Sequence, residues 1–317
     1  ILYQKSDFEG MRQACEDVIM AFPKDPMATD SFFWIGWINQ NNQELDAAEA
    51  YFLRCFENDM TGARAPEALL NAAICMEKRA GQMGNVSVLP QYRQDEFMNL
   101  NLDAAATYEM LMAHYPDSVQ ALQSVGGIAE PIWQMVRYRL WDDGKAADYF
   151  ARAKARFKGN LEVQARIQFA HGSYLMKMNM KDKALEAFSQ ALATAPAVRL
   201  HFKALLDYAD TLMDAGKFEE ANRIYEKVIA DFPDSPDALA PAYYGMAEVK
   251  FQQNSDADAR DLFNKVLTDF AWYTPGKQGK VRLAAIEAKA GNFELAEKLY
   301  TEVGIKETGE VRVAAAL

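Results

Sequence analysis

The sequence predicts an all-α chain built from repeated helical hairpins, and three observations support this prediction. Seven of eight residues at one recurring offset are aromatic, although aromatics make up only 12% of the chain. Five of the seven steps between repeat anchors are 37 or 38 residues long. Proline and glycine are few, at 11 and 17 of 317 residues, as a helix-rich chain requires. A fixed period in this range indicates a repeat architecture.

Each repeat has an anchor, usually small, followed four positions later by a large side chain. A pair at this spacing lies on one face of a helix. Small residues also stand twelve positions before several anchors, where they would let two helices approach closely. The anchors are Met11, Ala48, Ala104, Ala146, Ala184, Ala221, Ala259 and Ala296, and their partners are Cys15, Phe52, Tyr108, Phe150, Phe188, Tyr225, Phe263 and Tyr300; the earlier small residues are Gly36, Gly172, Ala209, Ala247 and Ala284.

Two helices are predicted in each unit, and the clearest unit spans residues 198–233. Apolar residues recur at three- and four-residue steps in its first half, which indicates an amphipathic helix. The second helix is predicted over residues 218–231, and Pro233 follows it because proline cannot continue a helix. Glycine or asparagine stands at the end of the first helix of several units and tolerates a left-handed backbone there. These residues are Asn179, Gly216, Asn254 and Gly291.

This pattern resembles the tetratricopeptide repeat, which has a small residue in the first helix, an alanine and an aromatic in the second, and a closing proline. In the clearest unit these positions hold Ala209, Ala221, Tyr225 and Pro233. The resemblance covers nearly the whole chain. It implies a right-handed α-solenoid, or superhelix, of about seven hairpins with a partial repeat at each end.

The repeats differ from the family pattern in length, with a period of 37–38 residues rather than about 34. The closing turns that begin at Tyr115 and Phe232 are similar to those of bacterial periplasmic proteins of this family. The similarity favours a periplasmic or cell-envelope address over a cytoplasmic one.

Two irregular regions suggest how the array is divided. One anchor step is 56 residues long, and its excess lies at about 84–101, where an insertion is predicted. This insertion either folds back over the array as a loop or contributes Leu89, Tyr92 and Phe97 to binding. Glycines at 126 and 127 and a proline at 131 then interrupt the next first helix and predict a kink. We therefore predict one continuous solenoid with an N-terminal part at 1–117 and a C-terminal part at 118–317.

Composition and motifs argue against several classes of function. The formal net charge is −11, and no basic face recurs, so neither a nucleic acid nor an anionic membrane surface is expected as a partner. No apolar run approaches the roughly 18–20 residues of a spanning helix, so direct membrane insertion is not expected. His114, His171 and His201 stand on different units without metal-ligand spacing, and His171 occupies a packing position. Phosphate-binding and nucleophile-elbow motifs are also missing from the sequence. We predict no catalytic residues, no metal and no cofactor.

The first helix of each unit is expected to line a concave groove, as the family resemblance implies. An apolar stripe flanked by mixed charge would suit a partner's amphipathic helix or an extended peptide. Alternatively, these side chains are buried against the next unit. The predicted apolar residues are Phe33, Trp37, Leu70, Phe169, Met176, Leu206, Met213, Tyr244 and Phe251, and the polar residues are Arg166, Lys177, Lys203, Asp210, Asp214 and Glu248.

The sequence therefore predicts a non-catalytic scaffold or adaptor that binds a partner protein or peptide, within a bacterial envelope assembly. Two alternatives stay open. In the first, the chain is a structural subunit that forms homo-oligomers through its terminal helices, including residues 311–317, because neither end has the polar cap that a finished solenoid needs. In the second, the chain is the repeat portion of a larger enzyme.

Overall fold

The protein is all-α in this computed structural model, which describes residues 7–196 and 198–304. Fifteen α-helices and one 3-10 turn occupy these ranges. The helices are α1 Phe8–Ala21, α2 Pro26–Asn41, α3 Leu45–Asn58, α4 Ala65–Gln82, α5 Gln91–His114, α6 Val119–Arg137, α7 Asp143–Arg156, α8 Leu161–Lys177, α9 Lys181–Thr194, α10 Phe202–Asp214, α11 Phe218–Asp231, α12 Pro236–Gln252, α13 Asp256–Asp269, α14 Thr274–Lys289 and α15 Phe293–Glu302. The residues predicted to stack between copies, 311–317, lie outside the described ranges.

The chain divides into two compact units, residues 1–201 and 202–317. Unit 1 holds α1 to α9, and unit 2 holds α10 to α15. Within each unit consecutive helices pack side by side, and alternate helices such as α6 and α8, or α10 and α12, also touch. This is the sequential hairpin packing of a tetratricopeptide-like solenoid. The predicted division at 117/118 remains a prediction.

The first helices of several hairpins end in a shared turn, as their residue types predict. Asn179, Gly216, Asn254 and Gly291 all have positive φ, between 58° and 86°. After Gly216, the backbone N–H of Lys217 donates to the carbonyl oxygen of Leu212 at 2.8 Å. This bond satisfies a carbonyl that the helix leaves without a partner. The prediction of four helix stops is confirmed.

The small-and-large pairs of the repeat form the core, which confirms the predicted packing. The seven alanine anchors and their aromatic partners are all buried. In two hairpins the aromatic ring lies directly against a predicted small residue. A Cβ added to Gly36 would meet the ring of Phe52 at 2.9 Å, and one added to Gly172 would meet Phe188 at 2.5 Å. Glycine therefore sets how closely the two helices approach.

The sixth helix, α6, runs from Val119 to Arg137 through both glycines and the proline, and the kink near 126–131 stays a prediction. Gly127 serves packing: a Cβ there would meet Cζ of Tyr108 on α5 at 2.5 Å. Pro131 is accommodated inside the helix and is buried. The glycine at position 127 therefore marks a close contact between α5 and α6.

The insertion is largely helical rather than the loop that one interpretation predicted. A 3-10 turn, Val86–Val88, leads into α5, whose first eleven residues cover the remainder of the inserted segment. Val86 is buried, and the ring of Phe97 packs edge-on against Tyr138 with centroids 5.4 Å apart. The extra residues therefore lengthen the second helix of this hairpin and pack onto the end of α6.

Candidate partner-binding cleft

A cleft of about 880 Å³ opens in unit 2, and one face of α10 forms its first wall. The wall carries Lys203, Asp207, Asp210 and Asp214 at steps of three and four residues. Residues at this spacing lie along one side of a helix. Leu206 and Met213 follow the same side and add an apolar edge to the charged one.

The opposite wall comes from α12 and the start of α14. Tyr244, Glu248 and Gln252 follow one another at steps of four on α12, so they face the cleft together. Pro241 also lies on this face, inside the helix, and cannot donate the helical hydrogen bond of its turn. The lining therefore combines polar and apolar groups from three first helices.

The floor of the cleft is fixed by a hydrogen bond between two helices. The hydroxyl of Tyr225 on α11 donates to Oδ1 of Asp210 on α10 at 2.6 Å. The Tyr225 ring reaches this position because α12 has a glycine opposite it. A Cβ on Gly245 would meet Cζ of Tyr225 at 2.3 Å. Gly245 thus allows the ring to lie between the helices and to present its hydroxyl to the cleft.

Burial raises the pKa of the Asp210 carboxyl above its usual range, although its side chain is reachable by solvent from the cleft mouth. The hydrogen bond from Tyr225 acts in the opposite direction, and the nearby charge of Asp214 raises the pKa further. Burial also raises the pKa of Tyr225, and the charge of Asp210 adds to this shift. Tyr225 therefore remains a neutral hydrogen-bond donor at neutral pH.

The carboxylate of Glu248 on the second wall is paired with an arginine of the same unit. Nε of Arg282 on α14 donates to Glu248 at 2.7 Å. Burial raises the pKa of Tyr244 to about 12, and Glu248 contributes to this shift. Arg282 also lies over the ring of Phe251, 5.5 Å from its centroid. This wall is consequently a neutral, partly apolar surface.

The structure brings together seven of the eight groove residues that were predicted in unit 2. Of the residues lining the cleft, Lys203, Leu206, Met213 and Tyr244 were predicted, together with Asp210, Asp214 and Glu248. Phe251 is half-buried against the core of α12 to α15 and lies outside the lining.

The groove residues predicted in unit 1 do not form a comparable cleft. Phe33, Arg166 and Phe169 are buried, so the prediction that they face a partner is wrong for the chain as folded. The Arg166 guanidinium donates to the carbonyl oxygens of Pro116 and Arg199 at 2.8 and 3.1 Å. It therefore connects the turn at Pro116 with the segment at Arg199. The rings of Phe169 and Phe188 pack with centroids 4.8 Å apart.

The remaining predicted residues of unit 1 are partly accessible. Trp37, Leu70 and Met176 are half-buried, and Lys177 pairs with Glu130 at 2.6 Å. These positions line none of the clefts that the structure describes in unit 1.

The three insertion residues have different environments. Phe97 is buried in the core, and Leu89 is half-buried with its carbonyl oxygen accepting from Gln94 at 2.9 Å. Tyr92 is 69% exposed and lines a shallow hollow of about 420 Å³ with Glu49 and Arg79. Of the three, Tyr92 is therefore the residue that a partner could reach most readily.

Histidine 171 has the packing role that the sequence predicts. Its ring stacks on Phe150 with centroids 4.7 Å apart, and burial lowers its pKa to about 4. Within residues 7–196 and 198–304, no group of histidine, cysteine and acidic side chains has the arrangement of a metal site. None of the described helices is long and apolar enough to cross a membrane.

Some cleft residues were missed by sequence reasoning, although one carries a usable signal. Asp207 stands three residues before Asp210, so helical spacing alone places both on one face. Phe218 and Gly245 also line the cleft. Phe218 lies at the start of α11, and Gly245 lies on α12 where that helix contacts Tyr225 of the preceding hairpin. Their role depends on how neighbouring helices pack, which the local pattern does not specify.

Comparisons with known families identify the repeats. One model described as tetratricopeptide repeat matches residues 175–240 and 212–271. A second model with the same description matches residues 29–59. A search of curated protein sequences gave no significant match.

Several solved structures are similar to this chain at low sequence identity. BtubC from P. vanneervenii is 18% identical, with a TM-score of 0.49, and the match covers 69% of this chain and 91% of that one. A tetratricopeptide repeat protein from Parabacteroides merdae is 14% identical, with a TM-score of 0.41, over 91% of this chain and 97% of that one. A thermophilic protein with these repeats from Thermus thermophilus is 19% identical, with a TM-score of 0.36, over 69% and 98%. Residues 29–59 and 175–271 of the chain therefore match tetratricopeptide repeat models, and the described helices pack as the sequential hairpins of a tetratricopeptide-like solenoid.

Proposed function

We propose that this protein is a non-catalytic interaction module whose unit 2 cleft holds a segment of a partner protein. The observation that carries the proposal is the convergence of seven predicted groove residues on one cleft. The α10 wall runs from Lys203 to Asp214, which corresponds to about 16 Å of helix. That length accommodates about three helical turns or a short extended segment of a partner.

The mixed lining supports a peptide rather than a purely apolar ligand. Leu206, Met213 and Tyr244 offer apolar surface, and the carboxylates beside them offer acceptors for a partner's N–H groups. Grooves with an apolar stripe and polar margins suit amphipathic helices and extended segments. Tetratricopeptide repeats serve protein–protein interaction in general, and this chemistry is consistent with that use.

A native pull-down from the source cell tests the proposal with three baits. The first is the unaltered chain, and the second carries Leu206→Ser and Met213→Ser in the cleft. The third carries Trp272→Ser and Leu295→Ser, which alter two exposed apolar side chains of unit 2 outside the cleft. Thermal melting of each bait checks that the fold is retained.

A partner that is retained by the first and third baits but lost by the second supports the proposal. A partner held equally by all three contradicts it, because the cleft would then contribute nothing to binding. Loss from the third bait alone would also contradict it and would move the interface to the edge of unit 2 near Trp272.

We also propose that the protein is located in the periplasm or cell envelope. This proposal rests on the closing turns at Tyr115 and Phe232, and cell fractionation with an antibody to the chain tests it. Enrichment with periplasmic or envelope markers is the expected result, and recovery with cytoplasmic markers would contradict it.

A further inference from the structure

Two neighbouring arginines of unit 1 are exposed, and no carboxylate of the described residues forms an ion pair with them. Arg137 is the last residue of α6, and Arg139 follows it in the turn to α7. Most other arginines in the described part of the chain are paired, as Arg79 is with Glu49 at 2.5 Å. The chain has 45 acidic residues and only 34 lysines and arginines, so two adjacent unpaired arginines are unusual in it.

Two aromatic rings hold the Arg137 guanidinium in place. Its central carbon lies 5.0 Å from the centroid of the Trp133 ring and 5.6 Å from that of Tyr138. Such stacking occupies the flat face of a guanidinium and leaves the N–H groups at its edge as donors. The ammonium group of Lys177 lies over the same Trp133 ring at 5.0 Å, but it is paired with Glu130 at 2.6 Å. Arg137 is therefore an oriented cation whose donors can receive an external carboxylate.

The insertion supports the turn that carries these arginines. Oγ of Ser87 donates to the carbonyl oxygen of Tyr138 at 3.3 Å, and the ring of Phe97 packs edge-on against the Tyr138 ring. Val88 follows Ser87 in the 3-10 turn, and it is 76% exposed. The inserted segment thus places an exposed apolar residue next to the turn that carries both arginines.

The acidic residues nearest to the arginines along the chain are engaged by other groups. Oδ1 of Asp142 accepts from the backbone N–H of Lys145 at 2.8 Å and so caps α7. Oδ1 of Asp143 accepts from the hydroxyl of Tyr174 at 3.4 Å. Both carboxylates stand at the N-terminus of α7, where the helix dipole favours negative charge. These acids are therefore stabilised without the help of the arginines.

We propose that Val88, Arg137 and Arg139 form a binding surface for an acidic segment of a partner protein, whose carboxylates bind the guanidinium groups while an apolar side chain packs on Val88. The stacking of Arg137 carries the proposal, because a guanidinium held by its face presents a fixed pair of donors to a carboxylate. Two arginines are too few for the backbone of a nucleic acid or for an anionic membrane, which favours a protein segment. The surface lies in unit 1, so it goes beyond the proposed function of the unit 2 cleft.

Peptide binding measured by fluorescence anisotropy tests the proposal. Two labelled peptides of equal length combine leucine with one polar residue, which is glutamate or glutamine. The test variant carries Arg137→Gln and Arg139→Gln. The control variant carries Arg54→Gln and Arg223→Gln, which change the net charge equally at two other exposed arginines that form no ion pair with a described residue. Thermal melting checks that both variants retain the fold.

We expect the unaltered protein to bind the leucine–glutamate peptide about fivefold more tightly than the leucine–glutamine peptide. The net charge of −11 would produce the opposite preference, because the protein as a whole repels an acidic peptide. The test variant should lose the preference for glutamate, and the control variant should keep it. Absent or equal binding of the two peptides would overturn the proposal, and so would an equal loss in the test and control variants.

Further measurements separate this surface from the unit 2 cleft and from a membrane site. Arg137→Lys keeps the charge but loses the stacked pair of donors, so the preference should fall to about twofold, and full retention would contradict the role of stacking. Leu206→Ser with Met213→Ser should leave the preference unchanged, and its loss there would place the acidic segment in the cleft instead. Binding to vesicles of phosphatidylserine and phosphatidylcholine, without binding to the glutamate peptide, would overturn the proposal in favour of a membrane surface.

Discussion

The ring of Tyr225 on α11 lies against Gly245 on α12 so closely that an added Cβ would meet Cζ at 2.3 Å. The same ring carries the hydroxyl that donates to Asp210 in the cleft. One helix contact therefore supports both the core of unit 2 and the shape of its candidate binding surface.

Gly245→Ala is expected to lower the free energy of unfolding by about 1–3 kcal/mol, the range for forcing extra volume into a packed core. The added methyl group must displace the Tyr225 ring and so weaken its bond to Asp210. Chemical denaturation measures the change in stability. An unaltered unfolding free energy would show that the ring has room to move.

Gly126 and Gly127 offer a matched test of the same packing principle. Gly127→Ala would bring a Cβ to 2.5 Å from Cζ of Tyr108, whereas an added Cβ at Gly126 meets nothing within 4 Å. We expect the first change to destabilise the protein by about 1–3 kcal/mol and the second to stabilise it by up to about 1 kcal/mol. Denaturant titrations of the two variants should thus shift in opposite directions. Shifts of equal sign and size would contradict the assigned contact.

Substitutions of Tyr225 separate its ring from its hydroxyl. Tyr225→Ala empties a buried aromatic site and should cost about 3–5 kcal/mol. Tyr225→Phe keeps the ring and removes one hydrogen bond, which should cost about 0.5–1.5 kcal/mol. Thermal and denaturant unfolding distinguish the two. A melting curve of Tyr225→Ala that matches the parent would refute the placement of this residue in the core.

Glu77 of α4 gives unit 1 a pH-dependent stability. Burial raises the pKa of its carboxyl to about 7, with a hydrogen bond from Tyr108 lowering it, the charge of Glu130 raising it and that of Lys177 lowering it. Its buried Oε1 has no hydrogen-bond partner in the described part of the chain. The folded pKa exceeds the ordinary value of 4.5, so stability is fully present below 4.5 and is lost as pH rises through 7.

Glu77→Gln removes this titration and should raise the unfolding free energy by about 1–3 kcal/mol above neutral pH. Near pH 4.5 the variant and the parent should be similar, because the carboxyl is then neutral in the folded protein. Urea titrations across this range measure the difference. A constant difference between the two proteins at all pH values would contradict the assigned pKa.

The sequence predicted the repeat, and it predicted the helix ends at which glycine or asparagine takes the left-handed conformation. Gly216 and Asn179 take positive φ as their types suggest, but Gln43 and Arg139 take φ values of 64° and 60° that their types do not suggest. Both residues lie in the same kind of turn, since the next N–H, of Glu44 or Leu140, donates to the carbonyl oxygen five positions back. Local pattern therefore missed the stops at α2 and α6.

The residues predicted for the groove line a cleft only where neighbouring helices leave one open. In unit 2 the repeat position that predicts Leu206 and Tyr244 as groove residues does face a cleft. In unit 1 the same offset selects Arg166, which reaches carbonyl oxygens 50 and 33 positions away and is buried by them. An offset gives a residue's direction within its own hairpin, whereas its exposure depends on distant segments.

Site-specific photo-crosslinking in the source cell tests the central claim most directly. A photoreactive phenylalanine analogue would replace Met213 in the cleft and, in a separate protein, the exposed Leu295 outside it. The account predicts a discrete adduct with a partner protein from position 213 and none from position 295. An adduct from position 295 with none from position 213 would contradict the assignment of the cleft as the binding site.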